Sequence, residues 1–214
     1  MAAHFVAEED AQIVAMMKRE GAIPVVRGSC PQLVWMGHTT NKIFGCGKNP
    51  YNPDRTVSGS SGGDGGLVSA RCVPFALGTD IGGSVRAPAA CNGIIGFKPT
   101  SQRSTQGGVV TSLLGYRAPQ NAVISCAGPL CNSVDDVHKY LKCLWSEDFL
   151  RRNLQIPPLL FNSEVYNKTK DKKLRLGYLV FKTSTGENEL GLENLPLSKA
   201  SKRAMTMTID KLRE

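Results

Sequence analysis

The alternation of apolar and polar positions predicts short helices separated by short strands. A first helix is predicted from about Glu8 to Glu20, because apolar residues recur there at helical spacing and Gly21 follows as a stop signal. Its apolar face consists of Ile13, Val14 and Met17. A later helix is predicted after Ser133, whose hydroxyl can cap it. The apolar positions of that helix are Val134, Val137, Leu141 and Leu144.

Continuous apolar runs of strand length lie between the predicted helices. These runs are 22–26, 72–77, 94–97 and 174–181. Further helices are predicted at 67–70, 84–91 and 198–212, a helical turn at 31–36, and loops at 39–57 and 101–116. Strands that alternate with helices in this way predict an α/β fold, with a mixed sheet core covered by helices on both faces.

Composition excludes two broad classes of protein. The chain has 214 residues, of which 41% are hydrophobic, which is too many for a disordered chain. Its longest apolar runs fall far short of the roughly 18 residues that a membrane-spanning helix needs. The first residues do not show the charged and then apolar pattern of a secretory signal, so we expect an intracellular protein.

The positive charge lies mainly in the second half of the chain. Nine basic and seven acidic residues up to Thr100 leave a net charge of +2, and 17 and 11 beyond it leave +6. The densest basic cluster comprises Lys168, Lys170, Lys172, Lys173 and Arg175. Since no aromatic platform, zinc spacing or helix-turn-helix pattern accompanies it, we expect a solvated lead-in to a strand and no nucleic-acid partner. An anionic membrane surface stays open as a partner.

The seven cysteines and three histidines do not form a recognisable cofactor or metal motif. No two cysteines are spaced as in a CxxC motif, and the histidines are scattered, so no cofactor or metal is expected. Reduced, buried thiols are the expected state of the cysteines. Cys72, Cys91 and Cys143 are expected to act as small apolar core residues, because their neighbours in sequence are apolar.

A glycine- and serine-rich stretch at 58–66 admits three interpretations. As a phosphate-binding loop it lacks both the Gly-Lys-Ser/Thr ending and the GxGxxG spacing. As a GxSxG nucleophile elbow centred on Ser61 it should follow a buried strand and precede an acid and then a histidine. The residues before Ser61 are polar, and the only later histidine is His138, two residues from Asp136 on the predicted helix. The bland interpretation is that the loop merely turns the chain.

A second glycine–serine segment suggests that the two segments together form a catalytic site. Ser84 follows Gly82 and Gly83 where an apolar strand should end and a helix begin, so that backbone amides can bind an oxyanion. A serine hydroxyl needs a base, and no histidine is placed to serve. A second serine such as Ser60, relaying the proton to a neutral lysine, would do the same work.

Three segments, 59–65, 78–88 and 93–100, resemble the signature of the amidase family. Among its members the chain is most similar to the fatty-acid amide hydrolases, especially the second type of animal enzyme. The similarity is strong over about 6–145 and weaker over 146–214. The resemblance therefore implies a partial amidase domain spanning 1–214, with an amidase-signature fold that is incomplete.

This resemblance implies a serine hydrolase that cleaves small acyl amides, in particular fatty-acid amides, without a cofactor. Ser84 would be the acylated nucleophile and Ser60 the bridging serine, after a cis Gly59–Ser60 peptide bond. The amides of Ile81, Gly82, Gly83 and Ser84 would bind the oxyanion. Val34 would contact the substrate, and the supporting residues would be Ser61, Thr79, Asp80 and Arg86.

One expected part of this site is missing from the sequence. Family members carry a lysine base further upstream of the bridging serine than the 59 residues that precede Ser60 here, and Lys18, Lys42 and Lys48 do not stand in a matching context. We therefore expect a fragment, and a catalytically inactive truncated product is the alternative to an active hydrolase. Membrane association of a full-length protein and the oligomeric state stay open.

Overall fold

The computed structural model describes residues 6–109, 123–170, 172–173, 175–177 and 199–213. The chain divides into two units, Met1–Ser163 and Glu164–Glu214. The first unit contains, in chain order, α1 (Gln12–Arg19), a 3₁₀ turn (Gln32–Val34), β1 (Thr40–Asn41), β2 (Gly45–Cys46), α2 (Gly62–Ser69), β3 (Phe75–Asp80), α3 (Arg86–Asn92), β4 (Ile95–Gly96), β5 (Cys126–Cys131), α4 (Val134–Leu144) and α5 (Glu147–Arg152). The helix α6 (Ser163–Lys170) begins at the last residue of the first unit in sequence, and α7 (Lys199–Arg213) lies in the second unit.

A three-stranded sheet in the order β3-β5-β4 forms the centre of the first unit. β3 pairs with β5 in antiparallel register from Phe75 opposite Cys131 to Asp80 opposite Cys126. β4 pairs antiparallel to the other side of β5, with Ile95 opposite Cys131. The predicted α/β class is confirmed. A mixed sheet was expected, but both pairings in the described sheet are antiparallel. The reason is that β5, which comes later in the chain, lies between β3 and β4 and runs opposite to both.

Helices cover both faces of this sheet, as predicted. On one face, Phe75 and Leu77 of β3 pack with buried residues of α1, α4 and α5. On the other face, Ala76 and Leu130 pack with Val68 of α2 and with the segment leading into α3. Since neighbouring residues of a strand point to opposite faces, each strand contributes to both apolar cores.

The two best-patterned helices form where the sequence predicts them. In α1, Ile13 is buried as predicted, but the second buried residue is Met16, and the predicted Val14 and Met17 are only partly buried. Gly21 follows with a left-handed φ of 90°. The Ser133 hydroxyl caps α4 by accepting a hydrogen bond from the Asp136 amide. The predicted stripe of α4 is wrong at Val134, which is 64% exposed. It precedes the first buried position by one turn, and the buried stripe consists of Val137, Tyr140, Leu141 and Leu144.

The strand predictions are less accurate than the helix predictions. Residues 22–26 form no strand, and Ile23 and Val25 are 81% and 71% exposed, because no neighbouring strand pairs with them in the described part of the chain. The strand predicted at 72–77 begins three residues later, as β3 (Phe75–Asp80), because residues 70–72 form a turn after α2. β4 lies within 94–97, and β5 was not predicted. Of 174–181, residues 175–177 are irregular, and the rest lie outside the described residues.

The other sequence predictions for the first unit are confirmed in part. The helices predicted at 67–70 and 84–91 correspond to α2 and α3, although α2 begins earlier, at Gly62 within the glycine-rich stretch. The 3₁₀ turn lies within 31–36, and 101–109 contain no helix or strand, while 110–116 lie outside the described residues. Within 39–57 the two-residue strands β1 and β2 pair as a small hairpin. The helices α5 and α6 were not predicted. No helix among the described residues is long and apolar enough to cross a membrane.

All seven cysteines are free thiols, but the expectation that they are buried is wrong for the four exposed ones, Cys30, Cys46, Cys72 and Cys91. Cys126 and Cys131 are buried in β5. Cys72 and Cys91 are exposed, so the prediction that they fill the apolar core is wrong. Cys72 lies in the turn after α2 and Cys91 on the outer side of α3, positions that the apolar residues around them in sequence do not reveal.

Candidate active site

The first serine loop is buried and held by close backbone contacts. Ser60 and Ser61 are only 4% and 5% exposed, and the Gly59–Ser60 peptide bond is cis. A Cβ atom at Gly59 would lie 2.5 Å from the carbonyl oxygen of Met36, so this position admits only glycine. The segment that follows the 3₁₀ turn therefore packs directly against the loop that carries Ser60.

The second serine loop connects β3 to α3. β3 ends at Asp80, Gly83 adopts a left-handed φ of 126°, and α3 begins at Arg86. Ser84 is partly exposed. The sequence prediction that Ser84 lies between the end of a strand and the start of a helix is confirmed.

A backbone hydrogen bond joins the two serine loops. The Ser61 amide donates to the Ser84 carbonyl oxygen at 3.1 Å. The loops also meet at Gly78 of β3, where a Cβ atom would lie 2.5 Å from the Ser61 hydroxyl oxygen and 3.0 Å from a methyl carbon of Val85. Ser61 and Ser84, which are 23 positions apart in sequence, thus belong to one compact cluster.

The Asp80 carboxylate organises the loop that contains Ser84. Its side chain is completely buried. Oδ1 accepts hydrogen bonds from the Gly83 amide at 2.7 Å and from Arg86 Nη2 at 2.9 Å. Oδ2 accepts from the amides of Val85 and Arg86 and from Arg86 Nε, at 3.1, 3.2 and 3.0 Å. Five hydrogen bonds to one carboxylate therefore fix the backbone on both sides of Ser84.

These contacts keep Asp80 ionised. Burial opposes the charged form, but the Arg86 side chain and the amides of Val85, Gly83 and Arg86 outweigh it, and the pKa of Asp80 falls to about 2. The same contact raises the pKa of Arg86. The bidentate geometry, with two guanidinium nitrogens on the two carboxylate oxygens, is the strongest form of this pair.

Two other predicted site residues lie close to this cluster in the fold. Thr79 is partly buried in β3, opposite Ala127 and next to Asp80. Val34 ends the 3₁₀ turn with a left-handed φ of 53°, which is rare for a β-branched residue, and is 42% exposed. It comes two residues before Met36, whose carbonyl contacts Gly59. The Val34 segment is thereby brought towards the Ser60 loop.

Comparison with known proteins identifies the family. The model of the family described as Amidase matches residues 1–214.

The chain belongs to the amidase family.

Two curated relatives and one solved structure are examples of the proteins that this chain is similar to. This amidase chain is 40% identical to fatty-acid amide hydrolase 1 of Sus scrofa over 172 residues, which are 80% of the chain and 29% of the relative. It is 37% identical to fatty-acid amide hydrolase 2 of Homo sapiens over 139 residues, 65% of the chain and 25% of the relative. A solved fatty acid amide hydrolase matches with a TM-score of 0.67 and 32% identity, covering 72% of the chain and 26% of that structure. The chain thus spans less than a third of each.

The nucleophile-elbow interpretation of Ser61 does not fit the structure of this amidase chain. An elbow requires a strand that runs directly into the nucleophile. Residues 57–60 form no strand, and Ser61 precedes α2. His138 lies on α4, where its ring packs against Phe161 with centroids 5.1 Å apart.

Two asparagines that sequence reasoning missed connect the serine loops from behind. Asn92 is fully buried at the end of α3, and its Nδ2 donates to the carbonyl oxygens of Val57 at 2.9 Å and Pro88 at 2.8 Å. Its Oδ1 accepts from Asn49 Nδ2 at 3.2 Å. Asn92 therefore ties the segment that leads into Ser60 to the helix that follows Ser84. No local pattern marks an asparagine as buried, so only the fold reveals it.

Lys18, one of the lysines that precede Ser60, takes part in a surface ion pair. Lys18 Nζ is paired with the Asp10 carboxylate at 2.7 Å on an exposed surface. Within the residues that the structure describes, no group of three or more histidine, cysteine or acidic side chains could hold a metal ion.

Proposed function

We propose that this amidase chain carries the two serines of a hydrolase that cleaves small acyl amides, with fatty-acid amides as the preferred substrates. The observation that carries the proposal is the hydrogen bond from the Ser61 amide to the Ser84 carbonyl, which joins the two serine loops. The substrate class is supported by the similarity to proteins named fatty-acid amide hydrolases.

In the proposed reaction the Ser84 hydroxyl oxygen attacks the amide carbonyl carbon while its proton passes to Ser60 and on to a base. The carbon–nitrogen bond then breaks, and the amine leaves with a proton returned along the same path. Water hydrolyses the acyl ester on Ser84 and releases the carboxylic acid. The buried position of Ser60 beside the Ser84 loop supports its role as the relay.

The contacts of Asp80 refine the expected oxyanion site. Because the Gly83 amide donates to Asp80 Oδ1, Gly83 serves to hold the loop in shape. We therefore assign oxyanion binding to the amides of Ile81, Gly82 and Ser84. Asp80, Arg86, Thr79 and Ser61 then support the loop without contacting the substrate.

An apolar surface near the Ser60 loop is consistent with a substrate whose acyl group is apolar. Val34 and its neighbours Leu33, Trp35 and Met36 are 42%, 54%, 73% and 47% exposed. Exposed apolar residues that follow one another in this way mark a binding surface more often than a random position. In the proposal Val34 contacts the acyl chain of the substrate.

A fluorophosphonate probe, which phosphonylates activated serines, tests the assignment on the full-length protein. We expect labelling of the tryptic peptide 72–86, which contains Ser84, and its loss in Ser84→Ala. Ser101→Ala is the control, because the Ser101 hydroxyl bonds to the Ile124 carbonyl away from both serine loops. Equal labelling of Ser84→Ala and the control would refute Ser84 as the nucleophile. A folded protein that is neither labelled nor active on a long-chain amide would support the alternative of a non-catalytic family member.

A further inference from the structure

A cysteine, a histidine and a threonine form a hydrogen-bonded chain outside the two-serine cluster. Cys46 Sγ lies 3.3 Å from His38 Nε2, and His38 Nδ1 lies 2.7 Å from the Thr56 hydroxyl oxygen. Cys46, at the end of β2, is exposed, and His38 is partly buried. The arrangement has the order of a nucleophile, a base and a group that orients the base.

The partners of this chain fit a proton transfer from Cys46 to His38. After the transfer both imidazole nitrogens carry hydrogens, and each has an acceptor: the thiolate at Nε2 and the Thr56 hydroxyl oxygen at Nδ1. Thr56 is itself fixed, because its hydroxyl oxygen accepts a hydrogen bond from the Ser58 amide at 3.0 Å. The ring is thus held where it can accept the Cys46 proton.

Other exposed cysteines lack this environment. Cys72 Sγ has only a weak contact, 3.9 Å long, with the Ala70 carbonyl. Cys30 is exposed overall, but partial desolvation of its thiol and the charge of Asp64 raise the pKa of Cys30 and so disfavour its thiolate. Among the cysteines of the described residues, Cys46 is distinguished by an imidazole at hydrogen-bond distance. Exposure alone does not set it apart, because Cys72 and Cys91 are exposed as well.

We propose that Cys46 is a modification site that reacts with small disulfides, with His38 as the base and Thr56 as the orienting residue. The Cys46 thiol gives its proton to His38 Nε2, and the thiolate attacks one sulfur of the disulfide. A new sulfur–sulfur bond forms to Cys46 as the old one breaks. The leaving thiolate takes up the proton from His38, so no further oxidant is required.

The site lies beside the first serine loop but does not depend on the proposed hydrolysis. The His38 amide nitrogen is 3.1 Å from the position that a Cβ atom on Gly59 would occupy. Thr56 and Ser58 connect the same site to the residues just before Ser60. Because the reaction is measured on Cys46 itself, its failure would leave the two-serine proposal untouched.

Glutathione disulfide provides the test, with other cysteines of the same molecule as internal references. The native full-length protein is incubated with the disulfide, quenched and digested with trypsin. Peptides 43–48, 72–86 and 87–103 each contain one cysteine, namely Cys46, Cys72 and Cys91. We expect Cys46 to be modified at least about tenfold faster than the other two, in keeping with the contribution of a general base.

Variants separate the role of the base from mere access. His38→Asn is expected to slow Cys46 to the rate of Cys72 while leaving the rates of Cys72 and Cys91 unchanged. Continued protection of the buried Cys126 and Cys131 from the disulfide shows that the variant is folded. Thr56→Val should slow Cys46, and Thr56→Ser, which keeps the hydroxyl, should restore it. Equal rates for the three cysteines in the unmodified protein, or a Cys46 rate unaffected by a folded His38→Asn variant, would overturn the proposal.

Discussion

The Ser61 amide donates a hydrogen bond to the Ser84 carbonyl oxygen at 3.1 Å. The loop that precedes α2 and the loop that follows β3 therefore lie in direct contact. Gly78 makes this approach possible, since β3 passes directly behind Ser61. Asp80 shapes the Ser84 loop from one side, and Asn92 anchors the lead-in to Ser60 from the other. Each of these supports can be tested separately from catalysis.

Gly78→Ala should destabilise the protein and weaken the junction of the loops. The new methyl group would lie 2.5 Å from the Ser61 hydroxyl oxygen, and Ser61 is buried and cannot move away cheaply. We expect a loss of about 1 to 3 kcal/mol in the free energy of unfolding, measured by urea denaturation. Gly37→Ala is the matched control, because nothing lies within 4 Å of its Cβ position. Equal stability of the two variants would contradict the close approach.

Asp80→Asn should remove an acid-dependent contribution to stability. The pKa of Asp80 is lowered from 3.8 to about 2, so its contribution is fully present above pH 3.8 and is lost as the pH falls towards 2. At neutral pH we expect a loss of about 2 kcal/mol or more, since Arg86 and the loop amides lose a charged acceptor. Unfolding measured across this pH range checks the prediction, with Asp54→Asn on the exposed surface as the control. An unchanged pH profile in Asp80→Asn would exclude the ion pair.

Asp64→Asn should affect stability in the opposite direction. Burial raises the pKa of Asp64 to about 6, although hydrogen bonds from the Asp64 and Gly28 amides oppose the rise. Ionised Asp64 therefore destabilises the folded chain, and this cost grows as the pH rises from 3.8 to about 6. We expect Asp64→Asn to be more stable than the parent above pH 6 and equal to it below pH 3.8. Thermal unfolding at these two extremes gives the comparison, and a variant that is less stable above pH 6 would contradict it.

Asn92→Ala should be strongly destabilising although Asn92 touches neither serine. The change leaves the buried carbonyl oxygens of Val57 and Pro88 and the Asn49 amide without this partner. We expect a loss of about 2 to 4 kcal/mol in the free energy of unfolding. Exposed Asn167→Ala on α6 should stay within about 0.5 kcal/mol. A small effect of Asn92→Ala would show that water replaces its hydrogen bonds.

The sequence by itself determined the α/β class, the amphipathic helices α1 and α4, the Ser133 cap and the position of Ser84 between a strand and a helix. These features depend on residues within a few positions of one another, and periodicity and capping express such local relationships directly. The roles of Ser60, Ser84, Val34 and the oxyanion amides remain predictions, because they came from the family resemblance.

The tertiary structure decided what depends on residues far apart in the chain. It inserted β5 between β3 and β4, left Ile23 and Cys72 exposed, and directed the Gly83 amide to Asp80. It also buried Asn92 under Val57 and placed Cys46 against His38. Strand pairing and side-chain hydrogen bonding gain their free energy only when distant segments meet, so no local pattern of residues carries that information.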